Sequence, residues 1–173
     1  EAEAGYNNIV GTSYYYECRF SPDMPDLNLD SEALRAEIKK IMAFWIGKGV
    51  DGFRLDAVKH IYHDARSDEN PRFLKMFYND MNQYYKGKGH TEDFYMIGEV
   101  LSDYQEVAPY YAGLPALFEF AFWYRLKYAL NNNAGCYLAK DILNQQQAYA
   151  SFRNDYIEAT KLTNHDEYRT ASE

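Results

Sequence analysis

The stretch of sequence that decides the fold is Gly52-Phe53-Arg54-Leu55-Asp56-Ala57-Val58-Lys59-His60-Ile61. Its apolar residues Phe53, Leu55 and Ala57 alternate with Arg54 and Asp56, which is the two-residue period of a β-strand. A strand in this register points the arginine and the aspartate to the same side of its sheet. On these two residues alone, a structural ion pair and a functional site both remain open interpretations, because paired charges occur in either setting.

Two later stretches have the same design, a short apolar run that ends in polar residues. They are Phe94-Tyr95-Met96-Ile97-Gly98-Glu99-Val100 and Ala159-Thr160-Lys161-Leu162-Thr163-Asn164-His165-Asp166. Long segments with helical patterns separate the three stretches. This alternation of strand and helix predicts a parallel α/β fold, in which ligands bind at the carboxyl ends of the strands. We therefore expect the carboxylates of Asp56, Glu99 and Asp166 to meet at one rim.

These stretches resemble the sequence motifs of the α-amylase family of glycoside hydrolases. The segment from residue 52 to 60 resembles the nucleophile motif, Gly98-Glu99-Val100 the acid/base strand, and Leu162-Thr163-Asn164-His165-Asp166 the third-carboxylate motif. A fourth segment, Met24-Pro25-Asp26-Leu27-Asn28, resembles a family signature that precedes the nucleophile strand. The four motifs follow the family's order, and a coincidence of all four is improbable.

The resemblance implies an α/β fold that is a partial (β/α)8 TIM barrel, a fragment of an α-amylase catalytic domain. A closed barrel typically takes about 250 residues, whereas this chain has 173. We expect residues 1–23 to be a loop or the end of an inserted small domain, and residues 24–173 to be the partial barrel. On the family count, barrel strands four to seven are predicted at residues 50–55, 95–100, 114–123 and 159–165, with a helical region at 124–158 that breaks at 131–135.

The resemblance also assigns the chemistry of a retaining glycoside hydrolase, with Asp56 as the nucleophile, Glu99 as the acid/base and Asp166 as the carboxylate that holds the sugar hydroxyls. Arg54 would orient the nucleophile. The further substrate contacts implied are Lys59, His60 and His165. Retaining hydrolysis needs two carboxyls about 5 to 5.5 Å apart. One must be ionised and the other protonated at the working pH.

The substrate implied is an α-1,4-linked glucan such as starch, glycogen or maltodextrin, because the Lys59-His60 pair is typical of family members that hydrolyse this linkage through a covalent glycosyl-aspartate. Other members of the family remain alternatives: enzymes that act on α-1,6 bonds, cyclodextrins or pullulan, and enzymes that transfer the glycosyl group to another sugar. A non-catalytic glucan-binding protein is a further alternative.

The resemblance points to calcium as a metal, with the Asp26 side chain and the main-chain carbonyl of His60 as ligands. Calcium takes six to eight oxygen ligands, so most of the ligand set would come from elsewhere. No organic cofactor is implied. Starch is too large to enter a cell, so we expect an extracellular, periplasmic or cell-surface location, with a cytoplasmic location left open for a glycogen or maltodextrin enzyme.

Composition agrees with a sugar-binding protein and excludes other classes. Aromatic residues make up 17% of the chain, eighteen of them tyrosines, and tyrosine offers a flat apolar face with a polar tip. The net charge of −8 argues against nucleic acid or an anionic membrane surface as a partner. No apolar run approaches the length of a transmembrane helix. Cys18 and Cys136 are too few and too far apart for a disulfide framework, and we expect both to be buried free thiols.

Overall fold

The structure, a computed structural model, describes residues 5–170. The chain divides into two compact units, with the boundary between Ile41 and Met42. This boundary lies within a helix and differs from the domain division predicted between residues 23 and 24, which stays a prediction.

The first unit contains a two-stranded antiparallel sheet. Strand β1 (Tyr6–Asn8) pairs with β2 (Tyr15–Glu17), and helix α1 (Glu32–Ile46) begins in this unit and crosses the boundary. Ser31 caps α1, because its Oγ accepts a hydrogen bond from the Leu34 N–H at 3.3 Å and so satisfies a donor that the first turn leaves without a partner.

The second unit is built on a four-stranded parallel sheet whose strands lie in chain order. These strands are β3 (Gly52–Leu55), β4 (Tyr95–Gly98), β5 (Ala116–Glu119) and β6 (Ile157–Thr160). Leu55 lies beside Gly98, and Gly98 beside Leu117, so the carboxyl ends of β3, β4 and β5 reach the same edge. The predicted α/β fold with parallel strands is confirmed.

All four predicted strands differ from the observed ones at one or both ends, and the last two differ most. Phe120 already has helical backbone angles (φ −90°, ψ −34°), so the alternating phenylalanines after Glu119 belong to a helix and not to a strand that continues to residue 123. Strand β6 begins two residues earlier than predicted and ends at Thr160. His165 and Asp166 therefore lie in the loop that follows the strand, not on the strand itself.

Helices connect the strands and cover the sheet. The connections are α2 (Asn70–Lys86) between β3 and β4, α3 (Tyr104–Val107) with a 3-10 helix at Ala108–Ala112 between β4 and β5, and the pair α4 (Ala121–Asn131) and α5 (Gly135–Ala150) between β5 and β6. Two further 3-10 helices, Val58–His60 and Asp64–Glu69, follow β3.

The predicted break in the helical region is confirmed at the turn between α4 and α5. Asn133 adopts a left-handed conformation with φ 51°, which asparagine tolerates better than most residues. The Ala134 N–H donates to the Ala129 carbonyl at 2.9 Å. This bond satisfies a carbonyl at the end of α4 and turns the chain back along it.

The core lies between the sheet and its helices. Leu74, Phe77 and Met81 are buried on one face of α2, as the three- and four-residue spacing predicts. Met96 and Leu117 are buried on the strands. Each such side chain contributes about 1.5 to 3 kcal/mol when it is removed from water.

Two glycines allow the strands below the candidate site to pack closely. A Cβ on Gly52 would lie 2.4 Å from the backbone oxygen of Tyr95, and one on Gly98 would lie 2.6 Å from Leu114 Cδ1. Both distances are shorter than any real contact of a Cβ atom, so a larger residue would push β3 away from β4 or displace the core. Glu99, which follows Gly98, therefore has its position fixed by this packing.

The cysteine prediction is half right. Both cysteines are free, and Cys18 is buried, but Cys136, in the first turn of α5, is exposed. Within residues 5–170, the structure contains no helix with the length and apolar character needed to cross a membrane.

Candidate active site

The nucleophile candidate Asp56 lies immediately after β3, on the same side as Arg54. The Arg54 Nη1 donates a hydrogen bond to the Asp56 Oδ1, so the shared face predicted from the alternation is confirmed. Ala57 then takes a left-handed conformation (φ 44°, ψ 42°), which is uncommon for a residue with a Cβ. The chain thereby turns sharply away from the strand and leaves the Asp56 side chain 75% exposed at the rim.

Glu99 lies next to Asp56 on the neighbouring strand end, and its backbone ties the two strand ends together. The Glu99 N–H donates to the Leu55 carbonyl at 2.9 Å, and the Val58 N–H donates to the Glu99 carbonyl at 3.0 Å. The Glu99 carboxylate itself accepts the Ala57 N–H at 3.2 Å through Oε2. This last bond holds the left-handed turn and the Glu99 side chain in one arrangement.

Arg54 bridges the two carboxyl groups. Its Nη1 contacts Asp56, and its Nη2 lies 2.8 Å from the Glu99 Oε2. The two carboxyls differ in exposure, since the Glu99 side chain is only 15% exposed. One guanidinium therefore orients both candidate catalytic groups, which have different surroundings.

The electrostatic environment favours an ionised Asp56. Partial burial is the largest single influence and raises the pKa of Asp56. Hydrogen bonding with Arg54 and with Glu99, together with the electrostatic influence of Arg54 and of His165, outweighs it, so that the pKa lies below the ordinary value of 3.8. An Asp56 that stays ionised is suited to the role of nucleophile in retaining hydrolysis.

The third motif lies in the loop after β6. His165 Nε2 is 3.1 Å from Asp166 Oδ2, and the Asp166 N–H donates to the Asn164 side chain at 2.9 Å. His165 contributes to the lowered pKa of Asp56, so the two side chains share one electrostatic environment. In residues 5–170 the Asp166 carboxylate makes no contact with Asp56 or Glu99, and it is 63% exposed. The structure thus links two of the three predicted carboxylates, through Arg54.

His165 and Asp166 open into a cavity of about 530 Å³. Its wall also contains residues that sequence reasoning did not single out: Trp123, Tyr124, Thr163, Glu167 and Tyr168. Glu167 is fixed at this wall, because its carboxylate pairs with Lys161 Nζ at 2.5 Å and accepts the Tyr124 hydroxyl at 3.2 Å.

Lys59 and His60 form the 3-10 helix that directly follows Asp56 and Ala57. The Lys59 Nζ donates to the Leu101 carbonyl at 3.1 Å, and Lys59 lines a second cavity of about 540 Å³. The His60 N–H donates to the Ala57 carbonyl at 2.9 Å. The two substrate-contact candidates therefore follow the turn at Asp56 and Ala57 in the chain, whereas β3 precedes it.

Asn70 is a positioning residue that sequence reasoning missed. It is fully buried, donates to the Lys59 carbonyl at 2.7 Å and accepts the Tyr62 N–H at 3.0 Å. It also donates to the Tyr110 hydroxyl at 3.2 Å. Asn70 therefore holds the loop after Asp56 in place. In the sequence, the sign of a positioning role for Asn70 was its place as a polar residue directly before Pro71, where a helix starts.

The calcium prediction concerns one residue in each unit. The Asp26 Oδ2 accepts the Arg19 N–H at 2.8 Å, and the Asp26 N–H donates to the Glu17 carbonyl at 2.8 Å, so this side chain already organises its own loop. In the part of the chain that the structure describes, no group of three or more His, Cys, Asp or Glu residues is arranged to hold a metal ion. Asp26 and His60 alone do not make up the six to eight oxygen ligands of calcium.

Comparison with known proteins agrees with this geometry. The model of the family "Alpha amylase, catalytic domain" matches residues 6–173. Alpha-amylase SusG of Bacteroides thetaiotaomicron is 75% identical over 128 residues, which are 74% of this chain and 18% of that protein. Alpha-amylase 3 of Dictyoglomus thermophilum is 38% identical over 158 residues, which are 91% of this chain and 30% of that protein.

A solved structure extends the similarity to the backbone. The crystal structure of the alpha-amylase from H. orenii superposes with a TM-score of 0.78 at 27% identity, covering 94% of this chain and 32% of that one. The chain thus spans between about a fifth and a third of the length of these relatives. On the family match and the identity to these relatives, the chain belongs to the α-amylase family and is part of its catalytic domain.

Proposed function

We propose that the protein containing this chain is a retaining glycoside hydrolase that cleaves α-1,4-glucosidic bonds in starch, glycogen or maltodextrins. The observation that carries the proposal is the carboxyl pair at the ends of β3 and β4, in which Arg54 contacts both Asp56 and Glu99 and the pKa of Asp56 lies below its ordinary value. The names of the two curated relatives support the substrate, since both are called α-amylases.

In the first step, the Asp56 carboxylate attacks the anomeric carbon of the glucosyl unit at the scissile bond. The bond from that carbon to the glycosidic oxygen breaks, and Glu99 gives its proton to the leaving oxygen. Glu99 Oε2 accepts bonds from Arg54 and from the Ala57 N–H, which leaves Oε1 to carry the proton. The products of this step are a glucosyl-Asp56 ester and a shortened glucan with a free hydroxyl.

In the second step, the ionised Glu99 takes a proton from water as the water oxygen attacks the same anomeric carbon. The ester bond breaks, Asp56 becomes a carboxylate again, and Glu99 is protonated for the next cycle. Two inversions at one carbon give net retention of the α-configuration. His165 and Asp166 would hold the sugar at the scissile bond, and Lys59 and His60 would contact the sugar on the leaving-group side.

Two further properties remain predictions from the resemblance. Calcium bound through Asp26 and the His60 carbonyl would be structural, and no step of the reaction is assigned to it. An extracellular, periplasmic or cell-surface location rests on the size of the starch polymer.

The linkage is tested by reducing-end release from soluble starch, from pullulan and from an α-1,6-linked oligosaccharide, with the full-length protein. Starch cleavage well above α-1,6 cleavage is expected. Cleavage mainly of the α-1,6 substrate would replace the proposed linkage, and glycosyl transfer products in place of new reducing ends would replace hydrolysis by transfer. A folded protein that cleaves none of the substrates would contradict the enzymatic assignment.

The Arg54→Met variant is expected to move the acidic limb of the kcat/KM profile to higher pH. Arg54 lowers the pKa of Asp56, so its loss raises that pKa, and Asp56 takes up its proton at a higher pH as acid is added. The lowered pKa of Asp56 also makes folding stability depend on pH. Ionised Asp56 stabilises the folded state at pH values above its ordinary pKa of 3.8, and this contribution is lost as the pH falls through the lowered pKa.

The matched control is Arg72→Met. Arg72 lies on α2, and its Nη2 is 2.9 Å from the Asp68 Oδ2. This variant should leave the acidic limb where it is. An acidic limb at the same pH in Arg54→Met and in the parent would contradict the proposed link between Arg54 and the ionisation of Asp56.

A further inference from the structure

A mostly buried ion pair joins the two ends of the loop that carries His165 and Asp166. We call this loop, residues 161–167, the β6 loop, because it follows β6 directly. Lys161 Nζ lies 2.5 Å from Glu167 Oε2, and the two side chains are only 13% and 21% exposed. Neither Lys161 nor Glu167 has a part in the two steps of hydrolysis.

The side chains of His165 and Asp166 are themselves exposed at the surface. Asn164 shapes the backbone around them, because its Oδ1 accepts the Asp166 N–H at 2.9 Å and its carbonyl accepts the Glu167 N–H at 3.4 Å. Bonds inside a loop fix the shape of the loop, but they do not fix its place beside the sheet. The place of Asp166 therefore depends on how the ends of the β6 loop are attached.

Lys161 attaches the first end of the loop to the start of α4. Its Nζ lies 4.1 Å from the centroid of the Phe120 ring, which is a cation–π contact. Phe120 is buried and directly precedes α4. A neutral side chain at position 161 would lose both this contact and the bond to Glu167.

Glu167 attaches the second end of the loop to the same helix. Its Oε1 accepts the Tyr124 hydroxyl at 3.2 Å while its Oε2 pairs with Lys161. Tyr124 lies on α4, four residues after Phe120, which is about one helical turn. The start of α4 therefore holds both ends of the β6 loop.

A purely structural pair and a direct substrate contact are the other interpretations of Lys161 and Glu167. Stability alone gives little reason for a buried pair, because apolar residues of similar volume are often as good or better. A substrate contact by Lys161 conflicts with its low exposure and its pairing with a carboxylate. Lys161 is also not among the described residues that line the cavity of His165 and Asp166.

We propose that Lys161 and Glu167 are positioning residues, which hold Asp166 where it stabilises the transition state of glucosyl transfer to Asp56. The inference rests on the proposed function, in which Asp166 holds the sugar at the scissile bond. A small displacement of the β6 loop weakens contacts that are strongest in the transition state. The kcat therefore depends on the pair more than the affinity for the substrate does.

The first test measures kcat and KM on maltoheptaose with the full-length protein. Lys161→Met and Glu167→Gln should each lower kcat about 10- to 100-fold and leave KM within about threefold of the parent. Lys161→Arg should keep kcat within about threefold, because arginine keeps the charge and the contact with the aromatic ring. The double variant Lys161→Met with Glu167→Gln should lose no more than the larger single loss, because the two residues act as a unit.

Lys86→Met is the matched control. Lys86 Nζ lies 2.6 Å from Asp93 Oδ1, and Asp93 comes just before β4, at the amino end of a strand whose carboxyl end leads to Glu99. The variant should change neither kcat nor KM by more than about twofold, since the pair is exposed and distant from the site. Glu167→Gln keeps the shape of the side chain and tests the pair where Lys161→Met fails to fold.

Two further measurements separate positioning from a general loss of structure. Acarbose has an unsaturated ring that resembles the flattened sugar of the transition state, so its Ki should rise in parallel with the fall in kcat/KM. Hydrogen exchange of the peptide that contains residues 161–167, read by mass spectrometry without substrate, should become several-fold faster in both single variants. The exchange of this peptide should be unchanged in Lys86→Met.

The proposal would be overturned by folded single variants that keep kcat and the Ki of acarbose within about threefold of the parent. An equal loss of kcat in Lys161→Arg and Lys161→Met, or a lowered kcat with unchanged exchange of the β6 loop, would also overturn it. A parent protein that cleaves no α-glucan would instead contradict the proposed function. The exchange measurement needs no activity, so it would still show whether the pair holds the loop.

Discussion

The Asp56→Asn variant of the full-length protein is expected to hydrolyse starch at least about 10⁴-fold more slowly than the parent, as measured by kcat for reducing-end release. Asparagine has the same shape as aspartate, but its amide does not attack the anomeric carbon and carries no charge to pair with Arg54. The loss should therefore come from chemistry, with KM changed far less than kcat.

Asp155→Asn is the matched control for this result. Asp155 is also an exposed aspartate paired with an arginine, since its Oδ1 lies 3.4 Å from Arg153 Nη1. We expect this variant to keep the activity of the parent within about threefold, as surface pairs contribute little. If Asp56→Asn retained more than about a tenth of the parent's kcat while Asp155→Asn behaved as expected, Asp56 would not be the nucleophile.

The Glu99→Gln variant is expected to lose on the order of 10² to 10⁴-fold in kcat on starch. Glutamine keeps a hydrogen-bonding side chain beside Arg54 and the Ala57 N–H, but it has no proton to give to the glycosidic oxygen. With α-maltosyl fluoride the leaving fluoride needs no such proton, so the first step should recover while the second step, which needs a general base, stays slow.

The measurement for Glu99→Gln is therefore a rapid release of about one fluoride per enzyme, followed by slow turnover. Glu69→Gln, which changes a glutamate paired with Arg66 at 2.7 Å, should behave like the parent on both substrates. Equal losses on starch and on the fluoride, without a burst, would mean that Glu99 is not the acid of the first step.

The sequence predicted the centre of the candidate site well because that centre is local in the chain. Arg54 and Asp56 are two residues apart on a strand, and the period of a strand alone places them on one side. Glu99 follows the neighbouring parallel strand in register, so the parallel α/β pattern brings it to the same edge. The structure adds that a single guanidinium contacts both carboxyl groups.

The sequence failed where backbone conformation depends on distant contacts. The left-handed Ala57 is held by the carboxylate of a residue 42 positions away, and no local pattern predicts it. The alternating phenylalanines at 118, 120 and 122 fit a strand, but the chain becomes helical at Phe120. Asn70 contacts the segment from Lys59 to Tyr62 and also Tyr110, and only the folded chain brings these together.

The central claim is that Asp56 forms a covalent bond to the sugar. It is tested most directly by incubating the full-length protein with a fluorinated α-glucosyl fluoride, whose glycosyl-enzyme hydrolyses slowly, and locating the added mass by peptide mass spectrometry. We expect one glycosyl group on the peptide that contains Asp56, and none in the Asp56→Asn variant. A label on another residue, or no label together with products of inverted anomeric configuration, would contradict it.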